Sequence, residues 1–211
     1  MTEAKKKKIK RGPIKYHPPK DDPRDGKRPF IQPLSERSWS ERQLNKYVKN
    51  ENLREHCRMV ADAMEAYAKK LGEFPELWYQ TGLLHDIDWE MFPDEHPNKA
   101  VNEIIYDYPR EMLDAILAHA PQRTGKEPES LIEKYLFAID ELSGLMHALS
   151  LMRPNGFSDM KYKSVKKKIK DKAFAAGVDR EMVKRGFELI KEEPAEHVEF
   201  LIEVFKRRKN A

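Results

Sequence analysis

The sequence predicts an all-α protein, and three observations carry that prediction. Apolar residues recur at spacings of three and four from Ser40 onward. Residues that start and stop helices bracket those runs. No stretch shows the strict apolar–polar alternation of a half-buried strand.

The elements follow in order. Ser40 is a candidate cap for a first helix through Val48. Asn52 is a candidate cap for a second, where Leu53, Val60, Met64, Tyr67 and Leu71 repeat at helical spacing and Gly72 ends the run. Pro75 opens a third, ending near Leu84-His85-Asp86. A short loop with Pro93 precedes a fourth, from His96 or Pro97 to about Tyr106. Pro109 starts a fifth that finishes around His119, and Pro121 and Gly125 mark a loop. Ser130 caps a long sixth helix to about Leu151. Arg153-Pro154-Asn155-Gly156 breaks the chain. A lysine-dense helix from Ser164 to Ala176 is expected next, stopped by Gly177. Asp179 then caps a helix to about Lys191, and Pro194 opens the last one.

Composition bounds the class. Apolar residues make up 39% of the 211 and charged residues 36%, as in a water-soluble globular protein with a highly charged surface. No apolar run approaches the ~20 residues of a membrane span, and no signal-peptide core opens the chain, so a cytoplasmic protein is expected. The single cysteine, Cys57, excludes an internal disulfide. Residues 1–30 hold eight Lys and three Arg against four acids, and six of the 14 prolines fall before residue 34. Like charges repel and proline removes backbone donors, so residues 1–37 are expected to form a disordered basic tail. Residues 38–152 then form the helical domain, and 153–211 add helices that pack on it. The tail also fits a phosphate-seeking arm for nucleic acid or the ribosome.

Several chemistries are missing. There is no GxxxxGK[ST] loop, no GxGxxG, no GxSxG elbow, no CxxC and no HExxH. Cys57 directly follows His56, and adjacent helix residues point apart, so these two do not form a nucleophile–base pair.

What remains is a histidine–aspartate constellation. Four of the seven histidines, His56, His85, His96 and His119, lie between residues 56 and 119. Asp140 follows the uncharged run Tyr135-Leu136-Phe137-Ala138-Ile139 inside a helix that should be buried. A buried carboxylate costs free energy unless it is paired or bound to a cation. Asp86, after an apolar helix, raises the same problem. Each residue taken singly fits a hydrogen-bonded structural role; one shared metal centre answers all of these costs together. Imidazole and carboxylate donors suit first-row transition metals.

His56, the doublet in Leu83-Leu84-His85-Asp86-Ile87-Asp88, and Asp140 resemble the signature of the HD superfamily of metal-dependent phosphohydrolases. The resemblance spans about residues 50–151. The segment with Arg153-Pro154 and Lys163-Ser164-Val165-Lys166-Lys167-Lys168 is similar to a bacterial and archaeal subgroup of predicted HD-type hydrolases. Asp88 departs from the glycine many members carry. The resemblance implies an HD-type helical bundle and a first divalent metal on His56, His85, Asp86 and Asp140. It implies a second on Asp86, His96 and His119, with iron, manganese or zinc as the ion. A hydroxide shared by two such ions would attack a phosphoester, that of a nucleotide, with Asp86 and His85 at the catalytic centre. The phosphate needs further cations, and Lys163, Lys167 and Lys170, at spacings of four and three, are candidates with Arg153 and Arg123. Asp88 or Glu141 is a candidate proton relay. The alternative is a nucleic-acid- or ribosome-associated factor that uses the tail and the lysine-rich helix, its metal site structural or sensory.

Overall fold

The computed structural model describes residues 34–208. Of the tail expected at residues 1–37, residues 1–33 lie outside them, and Arg37 already opens the first helix, paired with Glu65 and Glu76. All regular secondary structure among the described residues is helical, with no strand. Among the described residues no helix is long and apolar enough to cross a membrane.

Helix α1 (Arg37–Tyr47) leads to α2 (Glu51–Leu71). The true cap of α2 is Asn50, whose side chain accepts from the backbone of Asn52 at 2.9 Å and Leu53 at 3.2 Å. The cap expected at Asn52 is therefore two residues late. Ser40 is no cap either: it lies inside α1, wholly buried, and its hydroxyl donates to Gln80 Oε1 at 2.8 Å. Both corrections have one cause. Ser and Asn satisfy orphan donors at a helix end or a buried acceptor elsewhere, and sequence alone does not say which. Gly72 ends α2 in the left-handed region, φ 76°, as its position after Leu71 predicts.

Pro75 opens α3 (Pro75–Leu84), which closes on His85. Tight turns follow through Pro97. The helix expected from His96 to Tyr106 is instead a π-helical turn, Ala100–Ile104. The Ala100 N–H donates to Asp88 Oδ2 at 2.8 Å, so it is withdrawn from the α ladder, and Ile105 bonds back to the Ala100 carbonyl. π turns of this kind concentrate at functional sites. Helix α4 (Arg110–Ala118) begins after Pro109 and closes on His119. The loop expected at Pro121–Gly125 contains one helical turn, α5 (Pro121–Thr124).

Helix α6 (Leu131–Leu151) starts from a capping box in which Glu133 accepts from the Ser130 N–H at 3.0 Å. It is buried on most sides and packs against α2, α4 and the helix that follows the lysine-rich segment, which makes it the central rod. Helix α7 (Tyr162–Lys170) stops at Asp171, short of the expected Ala176. It is followed by α8 (Arg180–Ile190), capped by Asp179 as expected, and α9 (Pro194–Arg208). Arg180 explains the early stop of α7. It is buried, and its guanidinium donates to the carbonyls of Asp171, Phe174, Ala175 and Val178, which curls residues 171–178 into a loop.

One core joins all of this. Val60, Met64 and Tyr67 of α2 meet Leu136 and Ile139 of α6 and Leu201 and Phe205 of α9. Each such side chain contributes about 1.5–3 kcal/mol by leaving water. Two glycines permit the closest crossings. A Cβ on Gly82 would lie 2.8 Å from the backbone of Ala61, and one on Gly186 would lie 2.7 Å from Ala138 Cα. The first contact presses α3 onto α2, and the second presses α8 onto α6.

Candidate metal centre

Five structural contexts deliver six side chains to one place. His56 projects from α2 and Asp140 from α6. His85 closes α3, and Asp86 follows it. His96 comes from the turns before the π segment, and His119 closes α4. A helix end frees a side chain from its own rod, so the ends of α3 and α4 can bring His85 and His119 in beside residues from the sides of α2 and α6. The Gly82 contact with Ala61 sets the depth at which His85 meets His56.

The residues form two groups that share one carboxylate. In the first, donor atoms of His56, His85, Asp86 and Asp140 all lie within 4.8 Å of one another. His56 Nε2 is 2.9 Å from Asp140 Oδ1, and His85 Nε2 is 3.3 Å from that oxygen and 3.4 Å from Asp86 Oδ2. In the second, Asp86 Oδ1 lies 3.5 Å from His96 Nε2 and 3.7 Å from His119 Nε2. Asp86 thus offers one oxygen to each group.

The outer ring nitrogens show what the inner ones are for. His85 Nδ1 donates to the Gly82 carbonyl at 2.8 Å, and His119 Nδ1 donates to the Ile116 carbonyl. His96 Nδ1 lies 2.7 Å from Asp88 Oδ1. In the neutral rings these contacts place the proton on Nδ1 and leave Nε2 as a bare lone pair. Those lone pairs then face carboxylate oxygens and each other, with His85 Nε2 fully buried and without a hydrogen-bond partner. Such an arrangement calls for positive charge between the nitrogens and the carboxylates, which a metal cation supplies to all of them at once. The carboxylate–imidazole pair of Asp88 and His96 is also the usual support behind a metal-binding histidine.

Electrostatics agree. Burial opposes ionisation of Asp86, but His85, His119 and His96 outweigh it and hold the carboxyl well below its usual range. Burial opposes ionisation of Asp140 too, and His85 and His56 hold it down in the same way. Burial works against a charged His85, yet Asp86 and Asp140 raise its pKa well above the ordinary value. Positive charge is strongly favoured at this spot, whatever carries it. Cys57 plays no part: burial pushes its thiol up to about 12, and an un-ionised thiol is a poor nucleophile.

A cleft of about 390 Å³ opens over the cluster, walled by Trp89, Arg123, Glu141, Asp179 and Met182. Arg123 is the one proposed phosphate contact that lines it. Its guanidinium sits 5.0 Å over the Trp89 ring and donates to the Pro93 carbonyl at 2.7 Å. Lys163, Lys167 and Lys170 do not line it; they are exposed on α7, whose buried residue is Val165. Arg153 is elsewhere as well, paired with Asp159 at 2.8 Å. The reason is the early end of α7. The chain reaches the cleft only at Gly177 and Asp179, beyond the lysines.

Asp88 is wholly buried between His96 and Ala100, so it positions rather than relays. Glu141 does face the cleft, and burial first, then the Asp140 charge, push its carboxyl up to about 8. The sequence marks Asp179 only as a helix cap and Trp89 not at all, yet both line the cleft. The signal for Trp89 was present as a large aromatic three residues beyond Asp86, in a turn where packing does not require one.

Residues 53–145 match the family model described as the HD domain. No curated protein and no solved structure matches the chain.

Proposed function

From the HD domain that residues 53–145 form, which indicates the metal-dependent phosphohydrolase superfamily, we propose that the chain hydrolyses the phosphoester of a nucleotide in the cleft above Asp86 and Asp140. In this reading His56, His85, Asp86 and Asp140 hold one divalent transition ion. Asp86, His96 and His119 hold a second, with iron, manganese or zinc as candidates. Such ions supply Lewis acidity, lowering the pKa of water and drawing charge from phosphoryl oxygens. The chain's own residues do the rest. Gly82, Ile116 and Asp88 fix the ring orientations from behind, and Arg123 presents a planar fork to phosphoryl oxygens at the cleft wall. The observation that carries the reading is Asp86, set between imidazoles whose inner lone pairs have no other partner in range but carboxylate oxygens and each other.

Metal analysis tests it. Protein expressed in metal-replete medium should contain close to two transition ions per chain, and Asp86→Ala should lose both the ions and turnover on a panel of phosphoesters. A parent protein that holds none and takes up none on titration would end the hydrolase reading.

A second reading concerns docking on nucleic acid. It draws support from the exposed row of Lys163, Lys167 and Lys170 on α7. Binding of RNA that weakens steeply with salt and disappears on charge reversal of these three lysines would favour it.

A further inference from the structure

The wall between α2 and the turns after α3 carries a recess separate from the main cleft. It is lined by Asn50, Asn52, Leu53, His56, Trp89 and Glu90. His56 belongs to the metal-capable cluster, so the recess opens directly onto it. Trp89 borders both spaces and is 40% exposed, which is unusual for so large an aromatic ring and leaves much of it free to stack. Its position is fixed. The ring meets His96 edge-on with centroids 4.9 Å apart, and Arg123 covers it from the main cleft.

The two walls of the recess are tied together. Glu90 Oε2 accepts from the backbone N–H groups of Lys49 at 2.8 Å and Asn50 at 2.9 Å, which joins the Trp89 turn to the start of α2. Asn50 commits its amide oxygen to capping α2, so its NH₂ remains a donor for a ligand. Asn52 contributes a second amide. The lining therefore offers an indole, an aliphatic wall in Leu53, two amide edges and one carboxylate. It contains no Lys or Arg.

That chemistry rejects phosphate and suits a neutral, flat heterocycle with hydrogen-bonding edges. Indole stacks on any base, and amide side chains read ring nitrogens and exocyclic amines. The Glu90 carboxylate adds an acceptor for an exocyclic amine and repels a misplaced phosphate. We propose that this recess is a nucleobase subsite, which places the base of a nucleotide between Trp89 and Leu53 while its phosphate lies toward His56 and Asp140. The proposal rests on the phosphohydrolase reading of the adjoining cluster.

A ligand without a hydrolysable ester tests it. Adenosine 5′-methylenephosphonate and methylphosphonate are titrated calorimetrically into the manganese-loaded protein. The nucleoside should tighten binding about tenfold, the order of one aromatic stack. Trp89→Ala should bring the two ligands within about twofold of each other, and Trp89→Phe should keep most of the advantage with methylphosphonate affinity unchanged from the parent. A nucleoside advantage below threefold in the parent, or one that survives Trp89→Ala, overturns the subsite. If methylphosphonate still binds, the hydrolase reading stands without it. If the parent takes up no manganese and binds neither ligand, both fall together.

Discussion

The Nε2 atoms of His96 and His119 stand 3.1 Å apart, and neither neutral ring has a proton to place between them. Each ring commits its Nδ1 hydrogen to an acceptor behind it, Asp88 for His96 and the Ile116 carbonyl for His119. Two lone pairs at this distance repel unless a proton or a metal cation joins them, and a metal cation also meets Asp86 Oδ1, 3.5 Å from His96 Nε2 and 3.7 Å from His119 Nε2. Ions that bind the folded chain and not the unfolded one stabilise it by mass action, by about 2.7 kcal/mol at a hundredfold excess over Kd. For a chain of this size that corresponds to roughly 5–10 °C in Tm. Chelation should lower Tm by this order, and manganese, iron or zinc should restore it. Scanning calorimetry on the same sample before and after chelation reads the change.

Asp88→Asn tests the support behind His96 rather than the cluster itself. The carboxylate accepts from the Ala100 N–H with one oxygen and contacts His96 Nδ1 with the other. An amide can keep only one of these contacts and must turn its NH₂ toward the other group. Loss of such a partner typically weakens metal affinity 10–100-fold. Competitive titration against a coloured chelator should show that drop, with the stoichiometry unchanged. An unaltered affinity would mean that Asp88 serves only the π turn.

Much of the site could be read from the sequence because its cost is visible there. Asp140 after an uncharged helical run, and Asp86 after another, announce buried charge that needs a partner. The helix starts at Pro75, Ser130, Asp179 and Pro194 are equally plain, since each residue type does one job at that position. The phosphate contacts were less legible. Lys163, Lys167 and Lys170 fell on one face as spacing predicts, but that face turns to solvent. The deciding interaction, Arg180 gathering four carbonyls of residues 171–178, leaves no mark in the lysine pattern. Ser40 and Asn50 likewise depend on which backbone groups the fold brings near.

Gly82→Ala should damage both stability and metal uptake. Its added Cβ would meet Ala61 Cα and N at 2.8 Å, a contact with backbone that no side-chain rotation relieves. Overpacking of this kind costs about 1–3 kcal/mol, and relief by sliding α3 would displace His85 from His56. Gly144→Ala on α6 is the control. Its Cβ would meet only Val178 Cγ2 at 3.8 Å, and alanine favours a helix, so stability should hold or rise by up to about 1 kcal/mol. Denaturant midpoints and metal stoichiometry of the two variants should separate cleanly.

His197 sets a pH dependence away from the cluster. It is wholly buried on α9, with Nδ1 2.5 Å from the Tyr67 hydroxyl and the Phe187 ring beside it. Tyr67, Tyr135 and Lys70 all converge on Glu192 nearby. Burial lowers the His197 pKa from 6.5 to about 4, and Glu192 offsets only part of that effect. Between those values the unfolded chain binds a proton that the folded chain does not. Stability is therefore fully present above pH 6.5 and declines as pH falls toward 4, by about 3 kcal/mol at most. In His197→Gln the side chain can still reach Tyr67 but cannot titrate. Urea midpoints from pH 7.5 to 4.5 should decline less steeply in the variant than in the parent. Parallel curves would show that the acid sensitivity arises elsewhere, with the histidines around Asp86 the next group to test.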